Sequence, residues 1–323
     1  NFIIINMSSR QVIKKILANF ESESDGAVIR QGITKSDHEL LDPFVSLVEF
    51  SGSILSCFAL FLDQFHLQAD SEIILTEVKS ANSFFYMYTK TTIIRNVSHV
   101  IDQLCAGFES VTYMLQGGII HQDFNGHSGT IHEGDVQWMT AGRGIIHSEM
   151  PEKEINSGLQ LWINLPSDDK MIDPKSLEIS ISEIPRAEEE GVEVKVIAGE
   201  SMGVQSPFYT KTPIMFLDVT LQPRGQINQT IPESWTAFAY VIEGDDGVFS
   251  SSDSSTVEAH NVVVFGTGKL ACGIRQALGE PIGEPVVQHE PFVMNSQAEI
   301  DMAIEDYRNA KNGFEMAKNW RSE

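Results

Sequence analysis

Basic residues are scarce in this chain. Lys and Arg number 22 against 45 Asp and Glu, a formal net charge of -23. A field of that sign repels phosphate backbones, which excludes direct, charge-driven nucleic-acid binding and leaves a basic protein partner open. Cysteine is scarcer still. Cys57, Cys105 and Cys272 are odd in number and widely spaced, so no disulfide framework follows and a reducing compartment fits best. Long apolar runs are missing as well. The longest, Ile54 to Phe65, is broken by Asp63 and falls short of the roughly 18–20 residues that span a bilayer, so no membrane partner is expected. Residues 2–5 are too short an apolar run, and lack the basic flank, of a secretory signal. A soluble, intracellular protein is expected. The chain opens Asn-Phe-Ile-Ile-Ile-Asn and has its first methionine at Met7, which reads as a fragment or a conceptual translation starting at Met7.

What is present is a series of short apolar-alternating runs set off by turn residues. Ser110–Leu115 is followed by Gln116-Gly117-Gly118, Ile119–Phe124 by Asn125-Gly126, and Val136–Met139 by Ala141-Gly142-Arg143-Gly144, while Gly158 precedes Leu159–Leu165. Strands at this spacing argue for an all-β sandwich or barrel rather than βαβ units. Asn125-Gly126 is the best hairpin signal. The second half echoes the first: Thr112-Tyr-Met-Leu-Gln-Gly-Gly118 is similar to Ala239-Tyr-Val-Ile-Glu-Gly-Asp245, and Gly134–Gly142 to His260–Gly268, at offsets of 127 and 126 residues. This reads as a duplicated β-barrel unit, with chance similarity of short β segments as the alternative. Ser296-Gln-Ala-Glu299 has capping-box spacing, and Ile300, Ala303, Ile304, Tyr307 and Ala310 recur at helical period. A helix from about Gln297 to Asn312 is expected, closing or bridging the barrels.

Function concentrates in Gly134–Met150, which ends with His147 and Glu149 two residues apart. On a strand, residues i and i+2 share a face, so an imidazole and a carboxylate project side by side, a nitrogen-plus-oxygen pair that iron(II) accepts. By itself, His-x-Glu is more often a strand with one exposed polar pair. In the second copy the equivalent positions are Gly273 and Arg275, neither suited to a metal, so one site per chain follows, in the first barrel.

Gly107–Leu115, His121-Gln-Asp-Phe-Asn-Gly-His127 and Gly134–Met150 resemble the pirin family of the cupin superfamily, and the run Gln137-Trp-Met-Thr-Ala-Gly-Arg-Gly-Ile145 is highly specific. Ile29–Ile33, Asp42-Pro-Phe44, Leu159–Leu165, Val196–Glu200, Gly279–Val287 and Pro291–Asn295 are similar too. The resemblance covers roughly 27–50 and 107–312, with a gap near 269–278. It implies an all-β bicupin: two β-barrel (double-stranded β-helix, jelly-roll) domains plus a C-terminal helix. It also implies one iron (Fe2+) in the N-terminal barrel, held by an upstream His-Pro-His pair together with His147 and Glu149. The family is linked to redox-responsive regulation and transcriptional coregulation through protein partners (transcription or signalling factors) in nucleus and cytoplasm. It is linked also to quercetin 2,3-dioxygenase activity on a flavonoid-like small molecule.

The His-Pro-His pair is absent. Its positions hold Gln103 and Cys105, and residues 51–106 read as a long insert unlike the family, with β-prone runs 73–76, 83–88 and 91–97 and with Cys57, His66 and His99 off register. Three readings stay open: translated intron or aberrant splicing, a diverged protein with no metal, or Cys105 replacing a histidine and shifting preference toward softer ions. The disturbed stretch Lys269–Leu278, with Cys272, favours the first. His121, Asp123, His127 and His132 read as a solvated hairpin face, and Trp138 and Trp162 as core anchors. Glu109 is expected behind the ligands, hydrogen-bonding rather than ligating. The organisation expected is an N-terminal extension over 1–26, part of it untranslated; an N-terminal cupin over 27–165; a linker over 166–191, polar with Pro174 and Pro185; a C-terminal cupin ending in the helix over 192–312; and a tail over 313–323.

Overall fold

The structure is a computed structural model that describes residues 10–24, 27–52, 103–223, 225–244, 256–266, 276–289, 291–317 and 319–322. Within these the short alternating runs all become antiparallel strands, numbered here in chain order. One seven-stranded sheet runs β12 (Lys175–Ile179), β9 (Val136–Thr140), β6 (Phe108–Gln116), β11 (Asn156–Asn164), β4 (Phe44–Gly52), β3 (Ala27–Ile33), β2 (Asn19–Ser24). A four-stranded sheet, β5 (Gln103–Cys105), β10 (Ile145–Pro151), β7 (Gly118–Asp123), β8 (Ser128–His132), faces it to complete the N-terminal barrel. The second seven-stranded sheet runs β1 (Val12–Leu17), β19 (Asn261–Phe265), β18 (Thr236–Tyr240), β20 (Gln276–Gly279), β17 (Ile214–Leu221), β14 (Val192–Ala198), β13 (Arg186–Glu189). Two small hairpins complete the strands: β15 (Glu200–Ser201) with β16 (Val204–Gln205), and β21 (Val287–His289) with β22 (Phe292–Met294).

Six strands of the two large sheets follow the same order, β9-β6-β11-β4-β3-β2 corresponding to β19-β18-β20-β17-β14-β13; the remaining edge strand is the last of its sheet in the chain in one, β12, and the first in the other, β1. Their registers agree as well. Thr112 lies opposite Gln137, as Ala239 lies opposite Val263, and Tyr113 opposite Val136, as Tyr240 opposite Val262. The sequence offsets are therefore a real duplication at the level of residue pairing.

The sheets pack face to face through one apolar cluster that includes Val111, Tyr113 and Leu161 from one and Phe216, Phe238 and Val262 from the other. Phe44 meets Phe238 edge to face at 5.0 Å, a geometry worth about 0.5–1.5 kcal/mol beyond its burial. Each sheet also sends a tyrosine to a buried carboxylate of the other. Tyr113 donates to Asp218 Oδ2 at 2.6 Å, where Lys195 Nζ stands at 2.9 Å. Tyr240 donates to Glu49 Oε2 at 2.6 Å, beside Arg30 at 3.8 Å and His260 at 2.8 Å. Arg30 pairs with Glu49 across β3 and β4 as Lys195 pairs with Asp218 across β14 and β17, so the two triads are copies as well.

The termini are exchanged between the halves, which corrects the domain boundaries read from sequence. Residues 10–17, placed in an N-terminal extension, belong to the C-terminal sheet. There β1 pairs with β19, and buried Arg10 donates to the carbonyls of Trp235 (2.6 Å) and Pro232 (2.7 Å). The segment 166–191, read as a linker, supplies an edge strand to each sheet, β12 and β13. Its Lys170 is buried, donating to Gly107 O, Asn164 Oδ1 and Val293 O. The helix Gln297–Asn309 is capped by Ser296 and Glu299 as expected. It packs with Val293, Met294 and Phe314 onto Phe108, Ile145 and Trp162 of the N-terminal barrel rather than onto the C-terminal one. Phe314, in the expected tail, is fully buried against Gly144, where a Cβ would overlap its ring. Among the described residues no helix is long and apolar enough to cross a membrane.

Candidate metal centre

Alternation along β10 turns Ile145, His147 and Glu149 to one face, and antiparallel pairing adds their cross-strand partners to that face. His147 lies opposite Gln103 of β5 and Asp123 of β7, Glu149 opposite His121, and Ile145 opposite Cys105. The face is the barrel interior, and every one of these residues is buried. Glu149 spans to the facing sheet. Thr112 Oγ1 donates to its Oε1 at 3.3 Å, and Gln160 Nε2 to its Oε2 at 3.1 Å. The Trp162 indole N–H donates to Gln160 Oε1 at 3.0 Å, which orients the amide so that its NH2 meets the carboxylate. Trp162 also stacks on Phe108 at 4.3 Å, and Trp138 is buried in the cluster between the sheets.

Removal from water disfavours charge on both groups. Burial pushes His147 down to about 4, with His121 adding a like-charge effect. Burial pushes Glu149 up to about 7 against the opposing hydrogen bonds from Thr112 and Gln160. The Cys105 thiol is pushed up by burial and by the charge of Glu149, so it is held as a neutral thiol. Among the described residues His147 Nδ1 is buried without a hydrogen-bond partner, a state that costs about 1–3 kcal/mol and that ligation would relieve.

That orphaned nitrogen invites a metal, but the donor set around it is short. The pattern implied by the resemblance asks for three imidazoles and a carboxylate. At those four positions the described residues supply His147 and Glu149, with an amide at Gln103 and a protonated thiol at Cys105, while His121 and Asp123 on the same face lie outside that pattern. These residues do not fit a tightly held iron.

Glu109 does not stand behind His147 and Glu149. It occupies the opposite face of β6 from Thr112, accepts from Thr140 Oγ1 at 2.7 Å, and has its carboxyl pushed up by burial. His121 and Asp123 depart from the solvated hairpin reading, since both are buried. His121 Nε2 instead stands 2.8 Å from Glu178 Oε1, and His127 Nε2 stands 3.3 Å from the same oxygen. His132 is exposed beside Glu152 at 3.2 Å. Glu178 lies in the polar stretch that reads as a linker, and the alternation of Ser176 and Glu178 with Leu177 and Ile179 is the signal it carries in the sequence. Cys57, His66, His99, Cys272, Gly273 and Arg275, the three β-prone runs, and nearly all of the 51–106 insert lie outside the described residues.

Known proteins complete the picture. Residues 70–163 match the pirin family model, and residues 216–313 match that of the pirin C-terminal cupin domain. The first match opens inside the segment read as unlike the family, so its second half does carry family pattern. A putative pirin-like protein of Arabidopsis thaliana is 64% identical over 300 residues, covering 90% of this chain and 95% of its own. Pirin of Homo sapiens is 39% identical over 327 residues, 98% of each chain. The crystal structure of quercetin 2,3-dioxygenase from Acinetobacter baumannii is 26% identical with a TM-score of 0.73, over 95% of this chain and 99% of that one.

Proposed function

The chain belongs to the pirin family of cupins, and from that premise we propose that it acts as a regulator through protein partners rather than as an iron-dependent catalyst. The role is that of a transcriptional coregulator or signalling adaptor in nucleus and cytoplasm, with a net charge of -23 favouring partners that present basic surfaces. One observation carries the reading. Gln103 stands opposite His147, and Cys105 opposite Ile145, so the four positions that the resemblance assigns to ligands hold one imidazole and one carboxylate, where a redox-responsive Fe2+ site of the family would need more. Metal analysis of purified protein at neutral pH tests it: iron well below one per chain is expected, and near-stoichiometric, tightly held iron contradicts it.

A second reading, a quercetin 2,3-dioxygenase acting on a flavonoid-like substrate, is favoured by the similarity to the Acinetobacter baumannii enzyme. Oxygen uptake with quercetin separates the two. Rates that are equal in the wild type and in His147→Ala remove the enzymatic reading, and a rate that depends on His147 supports it.

A further inference from the structure

We propose that His121, His127 and Glu178 form a second divalent-metal site, at the mouth of the N-terminal barrel and separate from His147 and Glu149. The inference is independent of the regulatory reading. The three side chains come from β7, the β7–β8 turn and β12, and their ligand atoms lie within 4.8 Å of one another. Strands β8 and β12 are the edges of the two sheets that form the barrel, so Glu178 must reach across β8 to meet His121. It does so at Gly129, which lies directly opposite His121 in the β7–β8 pair. A Cβ on residue 129 would overlap Glu178 Oε1, so the missing side chain makes the space in which the carboxylate meets the imidazole.

The third ligand is placed by the turn. Asp123 Oδ1 accepts from the backbone N–H of Asn125 (2.9 Å) and of His127 (3.1 Å), and Gly126 adopts a φ of 86° that favours glycine. The His127 ring thereby lies 5.4 Å from that of His121. Both Nε2 atoms are buried, and both converge on one carboxylate oxygen, Glu178 Oε1, at 2.8 and 3.3 Å. Ligand atoms at about 2.1 Å from a common tetrahedral ion stand about 3.4 Å apart, which small ring rotations reach from here.

Two imidazole nitrogens and one carboxylate oxygen are the donors of Zn2+, Co2+ or Ni2+ rather than of Mg2+ or Ca2+. His121 is 2% exposed, whereas the side chains of His127 and Glu178 are 38% and 35% exposed. A bound ion would join the edges of the two sheets, so it should stabilise the folded barrel by linkage.

The test is titration of metal-stripped, full-length protein with Co2+, followed by visible absorption, and with Zn2+, followed by thermal unfolding. Wild type and His147→Ala should each bind one Co2+ with similar affinity, and Zn2+ should raise the Tm of both. Glu178→Gln and His127→Ala should weaken binding at least tenfold and lose the Zn2+ response while keeping the metal-free Tm. Gly129→Ala should weaken binding too, by adding a methyl rather than removing a ligand. Equal affinity in wild type, Glu178→Gln and His127→Ala overturns the proposal, as does a loss of binding confined to His147→Ala. Iron retained by the wild type and lost in His147→Ala would instead contradict the regulatory reading alone.

Discussion

At matching positions of one strand pair, the N-terminal barrel holds Thr112 opposite Gln137 and the C-terminal barrel holds Ala239 opposite Val263. The difference extends through both interiors. Around Thr112 and Gln137 are Gln103, His121, Asp123, His147, Glu149 and Gln160, all buried. Around Ala239 and Val263, among the described residues, are Val194, Val196, Leu217, Val219, Ala237, Phe265 and Leu278. One architecture with one register therefore folds around either filling. Buried polar groups cost desolvation that an apolar filling avoids, so the C-terminal barrel is the measure of what folding needs. What the N-terminal barrel holds beyond that is attributable to chemistry.

The interface between the barrels is where they are alike, and it sets the largest effect. Asp218→Ala and Glu49→Ala each leave a buried tyrosine hydroxyl and a cation without their carboxylate. Each should cost about 3–5 kcal/mol in urea unfolding. A cost confined to one of them would mean that the two triads are alike in form only.

The interiors are where the barrels differ, and exchanging their residues sharpens that. Val263→Gln places an amide in an apolar interior and should cost about 2–3 kcal/mol. The reverse exchange, Gln137→Val, should change stability by less than about 1 kcal/mol. Similar costs for the two would show that polar residues in the N-terminal barrel serve folding after all.

The smallest effect is a pH slope that His147 and Glu149 hide from each other. In metal-free protein the folded pKa of Glu149, about 7, lies above its ordinary 4.5. The native state then holds the extra proton, and this contribution is lost as pH rises from 4.5 to 7. His147, at about 4 against an ordinary 6.5, contributes in the opposite sense and gains as pH rises from 4 to 6.5. Between pH 4.5 and 6.5 the two cancel. Glu149→Gln should therefore expose stability rising with pH, and His147→Ala stability falling with pH, each by up to about 1.4 kcal/mol per pH unit. Slopes of the same sign in both variants would contradict the assignment.

Local signals in the sequence were legible and non-local ones were not. The Ser296–Glu299 cap predicts the helix start, because a cap is made within one turn. The turn residues and alternation of 110–165 locate β6, β7, β9 and β11 to within three residues, and the duplication offsets predict the shared register. By contrast, β1 joins a sheet whose other strands lie some 170 residues and more along the chain, and nothing within residues 12–17 encodes that partner. Strands β12 and β13 are edge strands, and Lys175–Ile179 buries only Ile179 fully, so the polar stretch reads as a linker. The pair at His147 and Glu149 was visible as spacing. Their opposition to Gln103 and His121, and the meeting of His121 with Glu178, needed the pairing of β10 with β5 and β7 and the sheet edges brought together.

The central claim, a proposal, is that the N-terminal barrel keeps the framework of the iron site that the family resemblance implies while half of the implied donors are replaced. Both replaced positions lie on β5, facing His147 and Ile145 across the β5–β10 pair, so the deficit can be reversed where it arose. The direct measurement is iron per chain, after reconstitution and exhaustive desalting, in the wild type and in a Gln103→His/Cys105→His double variant. The account predicts little retained iron in the wild type and close to one per chain in the double variant, lost again when His147→Ala is added. Stoichiometric iron in the wild type, or no gain in the double variant, would contradict it.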